Sequence, residues 1–218
     1  MKKAALAAVV LALAFCACAF AKYAPEVLKV TGDVKVMKKD AAGWTAAAEK
    51  MSVSDGDRFR TAADGSVVIG FVLGRKNIAI IGPDTEAVVA SGREPTYTID
   101  LQKGEATLLI LNLPESSTFE VTTPAGVGGA KGTGWRVLTD GDVSTFEAYD
   151  NTIYVKGLYA DGSVTEDTTF VDMGYKTTVR KLQIPGPVEK LAPADMDRWN
   201  AWRDEVMDLQ AKAAEVHN

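Results

Sequence analysis

The residues of this chain that could do chemistry are few, and each set lacks a partner. Gly126-Val-Gly-Gly-Ala-Lys-Gly-Thr133 contains the glycines, lysine and hydroxyl of a phosphate-binding loop. A nucleotide loop needs Gly-Lys-Ser/Thr, so that the lysine and hydroxyl project from the first turn of a helix. Here Lys131 precedes Gly132 and a strand pattern follows, which leaves no helix N-terminus to receive an anion. The dinucleotide pattern also fails, because Lys131 stands where the third glycine belongs. The run reads instead as a structural crossing, where small residues let backbones approach closely. The single histidine, His217, is next to the C-terminus, and both cysteines, Cys16 and Cys18, lie near the N-terminus. A Ser-His or Cys-His pair therefore lacks its base or its nucleophile, and zinc lacks its ligands. Carboxylates are plentiful, but Asp55, Asp57, Asp84, Glu86, Asp140 and Asp142 all fall near turns, where Asp commonly caps the backbone. A glycosidase needs two carboxyls facing across a sugar. Asp140-Gly-Asp142 lacks the ligand series of a calcium loop. The expectation is a protein that is not an enzyme, with no catalytic residue, metal or cofactor.

The elements that would position these residues are short and alternating. Val34 and Val36 alternate with lysines, and Phe59 sits between Arg58 and Arg60. Ser66–Phe71 and Ile78–Ile81 are denser apolar runs, which suggests strands covered on both faces. Further strands are expected at Ala87–Ala90, Tyr97–Leu101, Ala106–Leu111, Phe119–Thr122, Trp135–Leu138, Ser144–Ala148, Thr152–Val155, Thr168–Val171 and Thr177–Val179. Thr-Gly-Asp at 31, Asp-Gly at 55, 64 and 161, and Asp-Gly-Asp at 140 supply tight reversals between them. Such spacing without intervening helices means a sandwich, barrel or rolled β-solenoid. Gly32-Asp-Val34, Gly104-Glu-Ala106 and Gly141-Asp-Val143 echo one another at unequal spacing, as common turn chemistry does.

After Lys181 the composition changes. Ile184-Pro-Gly-Pro187 and Ala192-Pro193 punctuate a linker, and Ala194–Val216 has no Gly or Pro. Met196, Trp199, Val206, Leu209, Ala213 and Val216, with Trp202 filling the gap, trace one stripe of a helix about 33 Å long. Asp195 and Asp197 suit the positive end of its dipole. The helix either docks over an open end or edge of the β body, or contacts another protein.

Phe119-Glu-Val121-Thr-Thr123-Pro124, the small-residue crossing, and Gly132-Thr133-Gly-Trp135-Arg-Val137 together closely resemble the core of the FecR domain. Gly32-Asp-Val34-Lys-Val36, Trp44, Asp55-Gly-Asp57-Arg-Phe59-Arg-Thr61 and Pro83-Asp84-Thr85 resemble its earlier parts, so the likeness covers roughly residues 27 to 180. It implies an all-β fold, a FecR-like β-sandwich or rolled β-solenoid of many short strands with one C-terminal α-helix. In the family's best-understood members this domain lies on the periplasmic side of a membrane-spanning regulator. It receives a signal from an outer-membrane transporter, and a cytoplasmic helical portion controls a sigma factor. This chain has no such portion ahead of its apolar segment, so the resemblance carries over the exported domain alone. Stand-alone members carry a similar Trp-containing tail, which implies a structural role for it.

Lys2 and Lys3, the apolar run Ala4–Phe15 and Ala19-Phe20-Ala21 have the form of a cleaved secretory signal, expected over residues 1–21. Cys18 after Ala17 offers a lipoprotein reading, which the bulky Phe15 and Cys16 fit poorly. Either way the protein is expected to leave the cytoplasm for the periplasm or cell envelope, without a membrane span once the signal is removed. The expected organisation is the signal (1–21), a β domain (22–181), a Pro-rich linker (182–193) and the amphipathic helix (194–218). Removing Lys2 and Lys3 from the 24 basic residues leaves 22 against 29 acidic ones, a net charge near −7. No stretch concentrates Lys and Arg on one face, so nucleic acid is not an expected partner.

What remains is binding. The leading reading is a non-catalytic envelope module that binds a protein partner in signalling or envelope organisation. Its candidate residues are Lys131, Thr133, Trp135 and Arg136, where the motif is densest, and Trp199 and Trp202 in the tail. The alternative is a glycan- or peptidoglycan-binding module, with Trp44, Tyr149, Tyr154, Tyr159 and Tyr175 as a stacking face. The competing account of those aromatics is core and cross-strand packing.

Overall fold

The computed structural model describes residues 25–71, 77–92, 95–111 and 113–215, with side chains described as far as residue 208. The expected signal segment, Cys16, Cys18 and His217 lie outside them. In chain order the strands are β1 (Glu26–Thr31), β2 (Val34–Met37), β3 (Thr45–Ala46), β4 (Asp57–Thr61), β5 (Ser66–Phe71) and β6 (Asn77–Ile81). Next come β7 (Glu86–Ser91), β8 (Thr96–Ile110), β9 (Thr118–Thr122), β10 (Gly126–Ala130) and β11 (Gly134–Thr139). The series ends with β12 (Val143–Ala148), β13 (Ile153–Gly157), β14 (Thr169–Val171), β15 (Tyr175–Arg180) and β16 (Glu189–Lys190). A helix, α1 (Pro193–Glu215), follows, the one helix among the described residues.

The strands form one continuous, open network that divides into two layers sharing β8. Layer A runs β1-β5-β6-β8-β11-β12-β15-β16, and layer B runs β3-β2-β4-β7-β8-β9-β10-β13-β14. Every pairing is antiparallel except that of β8 with β9. The fold is all-β with one C-terminal helix, as the alternation predicts. Tyr97–Leu101 and Ala106–Leu111, expected as separate strands, are the two halves of β8. The first half pairs with β7 and β9, and the second with β6 and β11. Between them the register against β7 shifts and Gly104 takes φ 94°, so β8 bulges as it passes between layers. Its inward residues change from Tyr97, Ile99 and Leu101 to Ala106, Leu108 and Ile110.

One core lies between the layers. Phe71, Tyr97 and Phe119 form an aromatic cluster with ring centroids 5.0–6.4 Å apart. The glycine-rich crossing is itself a strand, β10, and every residue of it is buried. A Cβ on Gly128 would lie 2.5 Å from the Phe146 ring of layer A, so the large aromatics of one layer fit against the missing side chains of the other. At the Thr123-Pro124 turn, Ser144 Oγ lies 2.8 Å from Thr123 Oγ1 and 2.9 Å from Thr139 Oγ1, linking the layers through buried hydroxyls.

The dense apolar runs are explained by a second cluster. Val68, Ile78 and Leu109 face outward from layer A, with Leu28 and Ile80 beside them, and α1 covers them. Met196, Trp199, Trp202 and Val206 supply the helix side of this contact, as their spacing predicts. The helix therefore lies on a face of the β body, not on an end or edge. The expected linker is tied to the same body: Gly186 N donates to Thr178 O at 2.9 Å, Leu191 N donates to Gly174 O at 2.8 Å, and β16 pairs with β15.

Candidate functional site

The sequence-predicted residues are distributed by the pleat of β11. Trp135 points into the core and is fully buried, while its neighbour Arg136 points outward beneath α1. The Arg136 guanidinium pairs with Glu105 and lies 3.7 Å from Glu147. The Tyr149 hydroxyl donates to Glu147 at 2.7 Å. Burial alone would lower the Arg136 pKa, but the Glu105 hydrogen bond and the two carboxylates hold it above its ordinary value. Burial, and then the Glu147 hydrogen bond, push the Tyr149 phenol above its ordinary value. Both groups thus keep their protons at neutral pH. The cluster holds its charges in place beneath the helix.

Trp199 stacks on Tyr149 with centroids 4.8 Å apart and planes 7° apart, and Trp202 leans against Trp199 at 4.6 Å. This closeness depends on Gly134, where a Cβ would sit 1.9 Å from the Trp199 ring. Lys29 to Glu205 at 3.4 Å and Arg203 to Asp150 at 3.6 Å brace the helix from either side. Between helix and layer A lies a cavity of about 340 Å³, with Val68 and Ile80 in its floor and Tyr149, Trp202, Lys29 and Arg136 around it.

The six candidate residues therefore do not form one surface. Arg136, Trp199 and Trp202 meet at the helix interface. Trp135 and Trp199, at 0% and 3% exposure, present nothing to a partner while the helix is docked. Thr133 is buried at the β10–β11 turn, where its carbonyl accepts from Ile110 N, and Lys131 is exposed at that turn. Sequence reasoning missed Glu105, Glu147 and Gly134; the Gly-Trp pair of the motif was the available signal for Gly134.

The five aromatics named for a glycan face are also dispersed. Tyr149 lies beneath Trp199 and is 2% exposed, because its ring completes the helix interface. Trp44 packs 4.6 Å from the Arg60 guanidinium, Tyr154 lies half-buried on the outer face of layer B, and Tyr159 and Tyr175 are exposed. Of the turn carboxylates, Asp55, Asp57 and Asp140 accept from backbone N–H groups. Asp140 Oδ1 accepts from Asp142 N and Val143 N at 2.9 and 2.8 Å, which holds its pKa below the ordinary value. Buried Asp57 accepts from Ser54 N and Lys38 Nζ. Among the described residues no group of three or more His, Cys, Asp or Glu side chains could hold a metal ion.

Exposed apolar side chains are unevenly placed. Among the described residues the large ones are Leu111, Met207 and eight others, all eight between Tyr159 and Val188. Met173, Tyr175, Leu182, Ile184 and Val188 follow the β15–β16 side of layer A, whereas Tyr159, Val164 and Phe170 belong to the β13–β14 side of layer B.

No protein-family model matches the chain. No curated protein matches it either. Among solved structures it is similar to two crystal structures from Parabacteroides distasonis ATCC 8503, of a protein described provisionally as an anti-sigma factor. Each has a TM-score of 0.40, with 14% and 15% identity, over 68% of this chain. The match spans 62% and 63% of those chains, less than two thirds of their length. Among the described residues no helix is long and apolar enough to cross a membrane.

Proposed function

We propose that this chain is a non-catalytic, exported FecR-like module of the periplasm or cell envelope that binds a protein partner in signalling or envelope organisation. The observation that carries this reading is the row of exposed apolar side chains along the outer edge of layer A. Met173, Leu182 and Ile184 are 58%, 60% and 58% exposed, next to a strand that ends its layer. Exposed apolar groups gathered on one side of a soluble body mark an interaction surface. The docked helix moves the expected contact away from Trp199 and Trp202, which serve the module's own stability.

The test is site-specific photocrosslinking in cells, with the probe at Leu182 or Ile184 and, as control, at Arg60 on the outer face of layer B. A discrete adduct with one envelope protein from the first two positions and none from Arg60, abolished by Ile184→Asp, is the expected result. Equal labelling at all three positions, or none above background, rejects the reading.

A further inference from the structure

We propose that the outer face of layer B binds a neutral oligosaccharide, stacked on Tyr154 and Phe170 and hydrogen-bonded by Glu120 and Lys156. Register places four residues in one line across four strands. Glu120 on β9 is opposite Gly129 on β10, Gly129 is opposite Tyr154 on β13, and Tyr154 is opposite Phe170 on β14. The line spans three strand spacings, about 14 Å.

Gly129 is what shapes the site. A Cβ there would fall 2.5 Å from Tyr154 Oη and 2.6 Å from its Cζ, so the tyrosine ring lies along the sheet over a position without a side chain. Its hydroxyl donates to the Glu120 carboxylate, which fixes the ring's direction. Burial and this contact push the Tyr154 phenol above its ordinary value, so it stays a donor at neutral pH. Phe170, at the end of the line, is 66% exposed. The adjacent line, Thr122 opposite Val127 opposite Lys156, adds a hydroxyl and an ammonium. A hollow of about 570 Å³ opens over Glu120, Thr122, Tyr154 and Lys156, walled by Leu158 and Val164.

Two aromatic residues in line, one of them with its hydroxyl on a carboxylate across a glycine position, and hydrogen-bonding groups alongside match the chemistry of a pyranose chain. The apolar ring faces accept its C–H surfaces, and the charged groups accept and donate at its hydroxyls. Charge selects among sugars. Asp100 and Glu120 stand against Lys156 along these two lines, which gives no positive field to hold a polyanion. Gln183 and Ile184 pack against Gly157 on the inward side of β13, and the site uses the outward side of that strand, so either proposal can fail without the other.

The experiment is titration of the full chain with a hexamer of N-acetylglucosamine, a hexamer of β-linked glucose, and heparin as polyanion, read by two-dimensional NMR. Saturable binding of a neutral hexamer, with shifts on β9, β13 and β14, is the expected result. Phe170→Ala removes an exposed ring without disturbing the fold and is expected to weaken binding by about tenfold or more. Tyr154→Phe, which keeps the ring and frees Glu120, is expected to weaken it less, and Ile184→Asp not at all. Absence of saturable binding of both neutral hexamers, binding of heparin alone, or equal affinity in Phe170→Ala and the parent overturns the proposal.

Discussion

The outer faces of the two layers are built by the same alternation of residues, yet they carry opposite surfaces. On layer A the outward positions Val68, Ile78 and Leu109 are apolar and lie under α1, with one charge cluster around Arg136 at the border. On layer B the outward positions include Arg58, Arg60, Glu86, Asp100 and Glu120, with Glu86 3.2 Å from Arg58 and 3.1 Å from Arg60. One layer is thus the middle of a three-layer arrangement, and the other faces solvent directly. The difference teaches that the tail belongs to the fold. A tail reserved for a partner would leave the outward apolar residues of layer A uncovered, a patch that isolated soluble proteins rarely tolerate.

The strongest way to break this comparison is to truncate the chain after Ala192. Val68, Ile78, Leu109 and Tyr149 then lose their cover, and a loss on the order of 5 kcal/mol is expected from the apolar area exposed. Denaturant unfolding and binding of a hydrophobic dye measure it. An unchanged midpoint would mean that the two faces do not differ in the way described.

Paired glycine substitutions sharpen the contrast. Gly134→Ala drives a Cβ into the Trp199 ring, held between helix and sheet, and is expected to destabilise by about 1–3 kcal/mol. Gly129→Ala meets the far end of Tyr154, a half-buried ring that can move aside only by giving up its hydrogen bond to Glu120, and is expected to lose about 1 kcal/mol. Tryptophan emission should shift to longer wavelength in the first variant only. Equal losses in both would erase the distinction between covered and bare faces.

Charge deletions should follow the same order of covered face over bare face. Arg136→Met leaves Glu105 and Glu147 together without their cation, and a loss of about 2 kcal/mol is expected from these partly screened groups. Arg60→Ala removes an exposed contact with Trp44 and Glu86, for at most about 1 kcal/mol. Thermal melts of both variants at one ionic strength compare them.

The smallest expected effect lies at Asp100, whose pKa burial raises above the ordinary 3.8. The folded state then holds its proton more tightly than the unfolded chain, so stability falls as pH rises from the unfolded value through the folded one. Asp100→Asn should raise the melting temperature slightly at neutral pH and leave it unchanged below the ordinary carboxylate value. A variant less stable than the parent at neutral pH would show that the carboxylate has a stabilising role.

Much of this architecture is legible in the amino-acid sequence. Period-two alternation marked β2, β4 and β9, and the double density at Ser66–Phe71 and Ile78–Ile81 announced strands covered on both sides. The stripe through Met196, Trp199, Trp202 and Val206 marked the helix face that docks. Asp140 was readable as a turn residue because its side chain needs only its own neighbours. β10 was not readable as a strand, since Gly-Val-Gly-Gly-Ala has no strand propensity, and its conformation is imposed by β9 and β13 on either side. The candidate site was legible only in part. Trp135 and Arg136 are adjacent in the chain and were grouped, but a pleat sends such neighbours to opposite faces.

Sequence alone determined the all-β class, the turns and the helix stripe. These depend on local periodicity and on which residue types are present at all. Only the tertiary structure decided that β8 is shared by two layers, that α1 covers a face, and that Tyr154 lies over Gly129 in line with Glu120 and Phe170. Those relations join residues tens of positions apart. They are set by strand register and by the fit of side chains across layers, which no local pattern encodes.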